Sequence, residues 1–281
     1  MTSSVDPHAA GPLAIADVVD FLYSLAPLDL AETWDNVGLL WGDPARHVTR
    51  VMTCLTLSQD IADEAADRGA ELIVSHHPIL FSPVQRLTAE TIQGRMLLGL
   101  AEKKIAVYSA HTAYDNACDG INRQLAEQLE LQAISPLRPI SPVAPREISS
   151  LEPIGSGRFG TLLPSRSLAE AIAHIRSRLG VEHVDFVGRR EMRVERLAIA
   201  CGSAAEFIDD ALENNCQALL TGEARFHACL EARERGLALI LIGHFASERP
   251  AMRRLAEQIR RRFPALDVWA SMVETDPIAR A

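Results

Sequence analysis

The sequence predicts an α/β protein of two linked lobes, each built on a mainly parallel sheet. Apolar runs at residues 50–57 and 71–75 are typical of buried strands, and they flank a helical segment from Ser58 to about Arg68. Strands that alternate with helices favour parallel pairing, because parallel strands need a long crossover connection. A second strand–helix–strand series begins at about residue 195, so the sequence also predicts a duplicated plan.

The two series agree in pattern more than in identity. Residues 197–223 can be laid over residues 51–77 without a gap, and strand, small-residue turn, helix and second strand then coincide. Only two of the aligned positions are identical. We expect the functional side chains of such a plan at the carboxyl ends of the strands, where parallel sheets carry their sites.

Apolar periodicity and turn residues predict the other elements and the domain boundaries. They indicate helices at 13–26, 88–103, 118–131 and 167–179, strands at 105–110, 158–163 and 183–187, and a loop at 32–44. Four prolines within residues 132–150 favour an extended linker or an edge segment. We therefore expect a first α/β lobe at 1–132, a linker and bridging α/β segment at 133–194, and a second α/β lobe at 195–281.

The composition indicates a globular protein with one large or two modest domains. The chain has 281 residues, of which 48% are hydrophobic and 23% charged, and its net charge of −9 argues against general binding to nucleic acid or anionic membranes. No apolar run approaches the roughly 20 residues of a membrane-spanning helix, and the N-terminal residues lack a secretory pattern. The five cysteines form no C-x-x-C motif, which favours reduced thiols and a cytoplasmic location.

Two neighbouring histidines, His76 and His77, follow directly on the predicted strand at 71–75. Burial of a histidine is costly unless the ring has partners, and two protonated rings would repel each other. Two neutral imidazoles that bind metal remove both difficulties. The alternative is one packed histidine beside one solvated histidine, and the pair alone favours neither interpretation.

A histidine followed four residues later by an acid occurs twice, each time after a predicted buried strand. These pairs are His111 with Asp115 and His244 with Glu248. If a helix begins at the histidine, positions i and i+4 share a face, so both side chains of a pair can reach one point. Taken singly, each pair is better explained as a helix cap beside a core histidine.

Together, the histidine pair and the two histidine–acid pairs supply four histidines and two carboxylates. Such a set suits two divalent metals with one bridging carboxylate, and zinc, iron, manganese and cobalt all accept these ligands. Two metals and two carboxylates leave the site positive by about two charges, which would attract phosphate groups. A water that bridges the metals would be a nucleophile at neutral pH, so the set indicates hydrolysis. It would also suit a metal-binding scaffold.

Two further motifs have less specific interpretations. GSGRFG at 155–160 matches a dinucleotide-binding pattern, but a strand-like segment rather than a helix follows it, so a glycine-rich turn is the better interpretation. In TGEARFH at 221–227, Glu223 takes the place of His77 when the two series are aligned. Glu223 therefore lines the cavity or orients a ligand, or it is simply an acid at a helix start.

Six motifs in order resemble one family, the Nif-three-like proteins, also called GTP cyclohydrolase 1 type 2 homologues. The resemblance runs from about residue 14 to the C-terminus. The motifs are WDNVGLL (34–40), SHHPILF (75–81), HTAYDNACDGIN (111–122), GSGRFGTL (155–162), TGEARFH (221–227) and GHFASERP (243–250). The segment from 132 to 195 is too short for the domain that some members insert, so the chain resembles the compact form.

The resemblance implies two α/β lobes with a dinuclear metal site between them. The implied metal ligands, with Glu248 in the bridging place, are His76, His77, Asp115, His244 and Glu248. Under this assignment His111 supports a ligand or contacts substrate, and His111 and Glu223 are the candidate catalytic residues. The resemblance also implies a toroidal homohexamer built as a trimer of dimers. Relatives have more glycine where this chain has Ala204 and Ala205, which puts a tight backbone turn there in question.

The family label implies hydrolytic opening of the imidazole ring of GTP. We expect, more broadly, a dinuclear metal-dependent hydrolase that acts on an anionic, nucleotide-like or phosphate-bearing small molecule, with metal-bound hydroxide as nucleophile. The alternative is a metal-bound regulatory or interaction scaffold without turnover. The sequence contains no recognisable guanine-reading pocket.

Overall fold

The computed structural model of the chain describes residues 12–140 and 154–279. The described chain divides into two compact units. The first unit comprises residues 12–24, Trp34–His111 and Met252–Thr275. The second unit comprises Leu25–Thr33, the described residues of Thr112–Ala251, and residues 276–279.

Helices and strands alternate along most of the described chain. The helices are α1 (Ile15–Leu25), α2 (Gln59–Asp67), α3 (Ile92–Lys103), α4 (His111–Asn116), α5 (Ile121–Gln128), α6 (Leu168–Leu179), α7 (Ile208–Glu213), α8 (Phe226–Glu234) and α9 (His244–Arg262). The strands are β1 (Gly38–Trp41), β2 (Arg50–Cys54), β3 (Leu72–Ser75), β4 (Ala106–Ser109), β5 (Gln132–Ser135), β6 (Arg138–Pro139), β7 (Gly155–Ser156), β8 (Arg158–Ser167), β9 (Asp185–Val187), β10 (Arg193–Ile199), β11 (Ala218–Thr221), β12 (Ala238–Leu241) and β13 (Asp267–Ala270). None of the described helices combines the length and apolar composition needed to cross a lipid bilayer.

The sheet of the first unit has the strand order β1-β4-β3-β2-β13. Strands β13, β2, β3 and β4 run parallel, and β1 pairs antiparallel with β4 at the edge. Every residue of β3 and β4 is buried. Strands of a parallel sheet are covered on both faces, which explains why these two appear as continuous apolar runs in the sequence.

The sheet of the second unit has the strand order β5-β8-β10-β11-β12-β9. Its centre is the parallel trio β10, β11 and β12, and the other pairings in this sheet are antiparallel. Strands β6 and β7 form a separate antiparallel pair. The core of this unit includes Phe207, Leu219 and Leu239, which are buried to within a few per cent of full coverage.

The predicted α/β class is confirmed, and the predicted strand–helix–strand order recurs in both sheets. Strands β2, β3 and β4 form a parallel trio in the first unit, as β10, β11 and β12 do in the second. An antiparallel strand borders each trio on the side of its third strand, β1 beside β4 and β9 beside β12. The two series therefore share a topology although they share few residues.

The units divide the chain at different places from the sequence-predicted boundaries at 132 and 194. Strand β13 pairs in parallel with β2, so the C-terminal strand belongs to the sheet of the first unit. Strand β5 pairs with β8, so the segment after residue 132 contributes to the second sheet. Pairing between strands far apart in the chain causes both differences, and no local composition signals it. Residues 141–153 of the proline-rich segment lie outside the described residues.

Two elements differ from the sequence-based expectations. The expected loop at 32–44 contains β1, which is only four residues long and is half-buried along most of its length. The expected helix at 118–131 starts at Ile121, and a separate helix, α4, precedes it. Gly120 lies at this break, where an added Cβ would stand 1.8 Å from the carbonyl oxygen of Tyr114. The close backbone approach requires glycine and ends the continuous helical pattern.

The GSGRFG motif leads into a strand, as its sequence context predicts: Gly155 and Ser156 form β7, and β8 begins at Arg158 after a turn at Gly157. Its arginine, Arg158, is 1% exposed and donates hydrogen bonds to the carbonyl oxygens of Gly155, Gly157, Asn116 and Ala117. The last two carbonyls belong to the end of α4 and the residue after it. Arg158 therefore ties the β7–β8 turn to the helix that carries Asp115, through charge-assisted hydrogen bonds within the second unit.

We expect Arg158→Met to lower the free energy of unfolding by about 2–4 kcal/mol, because it leaves buried carbonyl groups without their charged donor. Urea unfolding followed by circular dichroism measures the change. Arg189→Met, at an exposed position, is the matched control and should shift the transition by less than about 0.5 kcal/mol. Equal transitions for the two variants would show that the buried hydrogen bonds contribute no net stability.

Candidate metal centre

Three histidines, His76, His77 and His111, meet in the first unit. Their ring centroids lie 5.0 Å, 5.2 Å and 5.5 Å apart, and one nitrogen from each ring lies within 4.8 Å of the other two. The cause is the parallel pairing of β3 and β4, in which Ser75 is level with Ser109. The residues that follow the two strands therefore leave the sheet at the same edge.

Backbone hydrogen bonds hold the histidine pair at the end of β3. The amides of His76 and His77 donate to the carbonyl oxygens of Cys54 and Leu55, which continues the ladder with β2 beyond its last strand residue. The Ser109 hydroxyl donates to the carbonyl oxygen of His76 over 2.6 Å. Because these bonds constrain the backbone, the end of the sheet sets the direction of both imidazoles.

Polar side chains orient two of these rings. The Nδ1 atom of His77 lies 2.6 Å from the Thr56 hydroxyl, and Nδ1 of His111 lies 2.8 Å from a carboxylate oxygen of Asp35. The Asp35 side chain is fully buried. The Asp35 carboxylate can only accept, so it selects the His111 tautomer whose Nε2 carries the lone pair, which is the usual arrangement of a metal-binding or proton-accepting histidine. The Thr56 hydroxyl can donate or accept, so it orients the His77 ring without selecting a tautomer.

His111 adopts an uncommon backbone conformation at the start of α4. Its φ angle is +28°, in a region that residues other than glycine rarely occupy. Such conformations persist only where surrounding contacts impose them, and they concentrate at functional sites. The family resemblance places His111 outside the ligand set. The structure nevertheless groups its ring with those of His76 and His77.

A second group lies in the second unit and contains His244, Glu248 and Glu223. His244 is the first residue of α9, so Glu248 lies one turn along the helix, as the i, i+4 spacing predicts. Nε2 of His244 is 3.1 Å from Oε2 of Glu248, and its Nδ1 is 3.1 Å from Oε1 of Glu223. Glu248 is almost completely buried, whereas Glu223 is half-exposed.

These contacts raise the pKa of His244 to about 9. The largest cause is the hydrogen bond to Glu248; burial of the ring opposes it, and the charges of Glu248 and Glu223 add to the increase. A protonated imidazole between two carboxylates satisfies all three groups in the absence of a cation. A divalent metal would replace that proton, because metal ligands bind in their deprotonated form.

Glu223 precedes helix α8 and contacts His244. Helix α8 begins at Phe226 with Arg225 as its N-cap, so Glu223 lies before the helix rather than in its first turn. Its carboxylate accepts a hydrogen bond from Nδ1 of His244. Carboxylates that contact the second nitrogen of a metal-binding histidine fix the orientation of the ring and increase its basicity.

Asp115, the remaining predicted ligand, contacts a cysteine. Its Oδ1 lies 3.2 Å from Sγ of Cys201, and Asn122 donates to the Asp115 carbonyl oxygen while it accepts from the Cys201 amide. Burial, followed by the charges of Asp115 and Glu248, raises the pKa of the Cys201 thiol well above its usual range. Cys201 is therefore a neutral S–H donor to Asp115. The sequence indicates only a structural thiol here.

Gly202 brings the backbone close to the second carboxylate. Its φ angle is +67°, and an added Cβ would lie 2.4 Å from Oε1 of Glu248. The Gly202 amide donates to the Ser247 hydroxyl, which donates in turn to the carbonyl oxygen of His244. The glycine that this loop requires is thus Gly202, so Ala204 and Ala205 are tolerated.

Fold and site together define an α/β protein whose histidine and carboxylate groups, gathered at strand ends, suit divalent metal ions. The chain belongs to the Duf34/NIF3 (NGG1p interacting factor 3) family, whose model matches residues 13–277. The family resemblance seen in the sequence motifs is therefore confirmed.

Relatives match this chain over most of its length. A Clostridium perfringens protein named GTP cyclohydrolase 1 type 2 homolog is 32% identical over 252 residues, covering 89% of this chain and 92% of the relative. A Helicobacter pylori protein named GTP cyclohydrolase 1 type 2 is 30% identical over 235 residues, covering 84% and 87%. The crystal structure of Staphylococcus aureus protein SA1388 superposes with a TM-score of 0.84 at 28% identity, covering 96% of this chain and 100% of that one.

We expect Glu248→Gln to lower the pKa of His244 from about 9 toward its usual value near 6.5, because it removes the largest cause of the increase. NMR titration of the His244 ring protons in metal-stripped protein measures this change. Glu223→Gln, which removes a smaller contribution, should lower the pKa less. In the metal-free protein, the His244–Glu248 bond contributes most stability below about pH 6.5, and the contribution is lost as the pH rises through about 9. Equal effects of the two variants would contradict this order of causes.

We expect Gly202→Ala to weaken zinc binding at least about tenfold, since the new Cβ must displace the Glu248 carboxylate. Gly180→Ala is the matched control, because Gly180 has a φ angle of +66° but no atom within 4 Å of an added Cβ. Both variants bear similar backbone strain of about 1 kcal/mol. Calorimetric zinc titration separates them. Equal zinc affinity of the two variants would show that zinc binding by the Glu248 carboxylate does not depend on the glycine at position 202.

Proposed function

We propose that this chain is a dinuclear metal-dependent hydrolase that acts on a nucleotide-like or phosphate-bearing small molecule. The observation that carries the proposal is the group formed by His76, His77 and His111, whose ligand nitrogens lie within 4.8 Å of one another. Three imidazoles at this spacing on the edge of one sheet suit a site at which two of them bind metal and the third transfers a proton. The names of the relatives support a hydrolytic activity.

The donor set fits divalent metals. We assign the residues that would hold the metals as His76, His77, Asp115, His244 and Glu248. Each contributes an imidazole nitrogen or a carboxylate oxygen, which zinc, iron, manganese and cobalt accept. The contacts of His77 with Thr56 and of His244 with Glu223 supply the outer hydrogen bonds that metal-binding histidines usually have.

Bound divalent metals supply Lewis acidity and lower the pKa of a coordinated water. The chain itself supplies proton transfer and orientation. We assign His111 as the candidate general acid–base, because the buried Asp35 carboxylate holds its Nδ1 proton and stabilises the ring when Nε2 accepts a second proton. We assign Glu223 the task of orienting His244.

The charge balance favours an anionic substrate. Two divalent ions against the two carboxylate ligands, Asp115 and Glu248, leave about two positive charges at the metals, although the chain carries a net charge of −9. The carboxylates of Asp35 and Glu223, which contact His111 and His244, lie outside this ligand set and reduce the surrounding positive potential. A local positive centre in an acidic protein attracts compact anions such as phosphate groups. GTP is the first compound to test, because the relatives are named GTP cyclohydrolase 1 type 2 or its homolog. Opening of the imidazole ring of GTP is a hydrolytic step.

A second candidate function is a metal-bound regulatory or interaction scaffold without turnover. The family description, NGG1p interacting factor 3, favours it, because those words describe an interaction. For either function we propose a cytoplasmic, toroidal homohexamer built as a trimer of dimers, as the family resemblance implies. No disulfide joins any of the five cysteines, all of which lie in the described ranges, as suits a reducing compartment.

We expect about two metal ions per chain in the wild type by elemental mass spectrometry and a clear loss in both His76→Ala and Glu248→Ala. GTP turnover, assayed on the same samples, should fall in parallel with the metal content. His183→Ala, which changes an exposed histidine, is the control and should keep both metal and turnover.

The outcomes separate the two candidate functions. Metal that both variants lose, without turnover of GTP or of a panel of nucleotides and phosphoesters, would favour the scaffold. A wild-type protein that contains no metal and cannot be loaded with zinc, iron, manganese or cobalt would contradict the ligand assignment and the hydrolase together.

A further inference from the structure

Two exposed aromatic side chains flank the three histidines of the first unit. Trp34 is 58% exposed and Phe81 is 54% exposed. Their ring centroids are 5.9 Å apart, and they lie 6.1 Å and 6.3 Å from the ring of His111. An accessible apolar surface thus borders the predicted catalytic histidine directly.

Hydrogen bonds tie both aromatic residues to the histidine group. Asp35, next to Trp34, accepts from His111, so the backbone that carries Trp34 is anchored at the ring it flanks. The Asn36 side chain donates to the carbonyl oxygen of Leu80, the residue before Phe81. Asp35 and Asn36, which follow Trp34 in the chain, therefore bind His111 and the backbone next to Phe81. The backbone of both aromatic residues is therefore anchored beside the histidine group.

The physical chemistry of this arrangement matches a binding site for a flat ring. Large exposed aromatic surfaces are unfavourable in water and mark sites where a ligand or partner covers them. Small-molecule sites combine such surfaces with a few convergent polar groups, which the histidines provide here. Aromatic faces stack on nucleobases whatever the base, because every base has a π-face.

The angle between the rings limits how a ligand can bind. The planes of Trp34 and Phe81 are inclined at 59°. A planar ligand can therefore stack on one ring and meet the other with its edge, and both geometries are favourable for aromatic pairs. A bare phosphate has no apolar face and would leave this surface uncovered.

We propose that Trp34 and Phe81 form a stacking subsite for a planar heteroaromatic ring of the substrate, such as a nucleobase. The inference rests on the proposed function and narrows its substrate class, from phosphate-bearing molecules in general to those that carry a flat base. The metal-binding groups bind the anionic part of the substrate, and Trp34 and Phe81 stack on its ring.

The test compares two probes that differ only in the base, GMP and ribose 5-phosphate, by calorimetry on the metal-loaded protein. We expect Trp34→Ala and Phe81→Ala to weaken GMP binding about ten- to a hundredfold and to leave ribose 5-phosphate binding unchanged, since stacking is lost and phosphate contacts remain. Trp34→Phe should restore most of the affinity. Phe226→Ala removes a ring that is 72% exposed in the second unit and is the matched control, with no effect on either probe.

Each other outcome has a definite meaning. Equal losses for GMP and ribose 5-phosphate, or no preference of the wild type for GMP, would overturn the subsite. Unchanged GMP binding with an altered oligomeric mass in Trp34→Ala or Phe81→Ala would also overturn it and assign the pair to a subunit contact. Metal content and GTP turnover on the same samples keep the proposals distinct. Binding that depends on the base, without GTP turnover, would contradict the hydrolase alone. GTP turnover that is unchanged in Trp34→Ala and Phe81→Ala would contradict the subsite alone.

Discussion

Parallel pairing of neighbouring strands is the constraint that gathers the chemistry of this chain. The ladders set Ser75 level with Ser109 in the first unit and Thr221 level with Leu241 in the second. Side chains that follow paired parallel strands leave the sheet at one edge, whatever the sequence between them. His76, His77 and His111 are brought together in this way in the first unit, as Glu223 and His244 are in the second. The sites thus depend on a backbone register that many sequences can satisfy. This agrees with the topology that residues 51–77 and 197–223 share although only two of their aligned positions are identical.

The need to satisfy buried polar groups then decides how the imidazoles are used. The side chain of Asp35 is fully buried against His111, and Glu248 is almost fully buried against His244. A buried carboxylate is tolerated only with a charged or hydrogen-bonding partner, so each of these pairs stabilises the fold and orients a ring at once. The same requirement explains Arg158, whose guanidinium serves four carbonyl groups beneath the helix that carries Asp115. Structure and candidate function therefore share the same hydrogen bonds.

Some features could not be predicted from the sequence, for identifiable reasons. Cys201 and Gly202 follow an apolar strand in a context typical of any buried thiol and any turn glycine. Their roles appear only in contact with Asp115 and Glu248, which lie far away in the chain. Likewise Trp34 lies in a stretch that predicts a loop, and nothing local shows that its ring flanks that of His111.

The sequence by itself determined the α/β class, the position of most helices and strands, and the placement of the candidate histidine ligands just after a strand. These properties are local, because hydrophobic periodicity and turn residues act within a few positions of one another. Only the tertiary structure decided the unit boundaries and the partners of the site residues. Thr56 and His77 are separated by 21 positions, Asp35 and His111 by 76, and Asp115 and Cys201 by 86. Contacts over such distances arise when strands pair, and no pattern in the intervening residues encodes them.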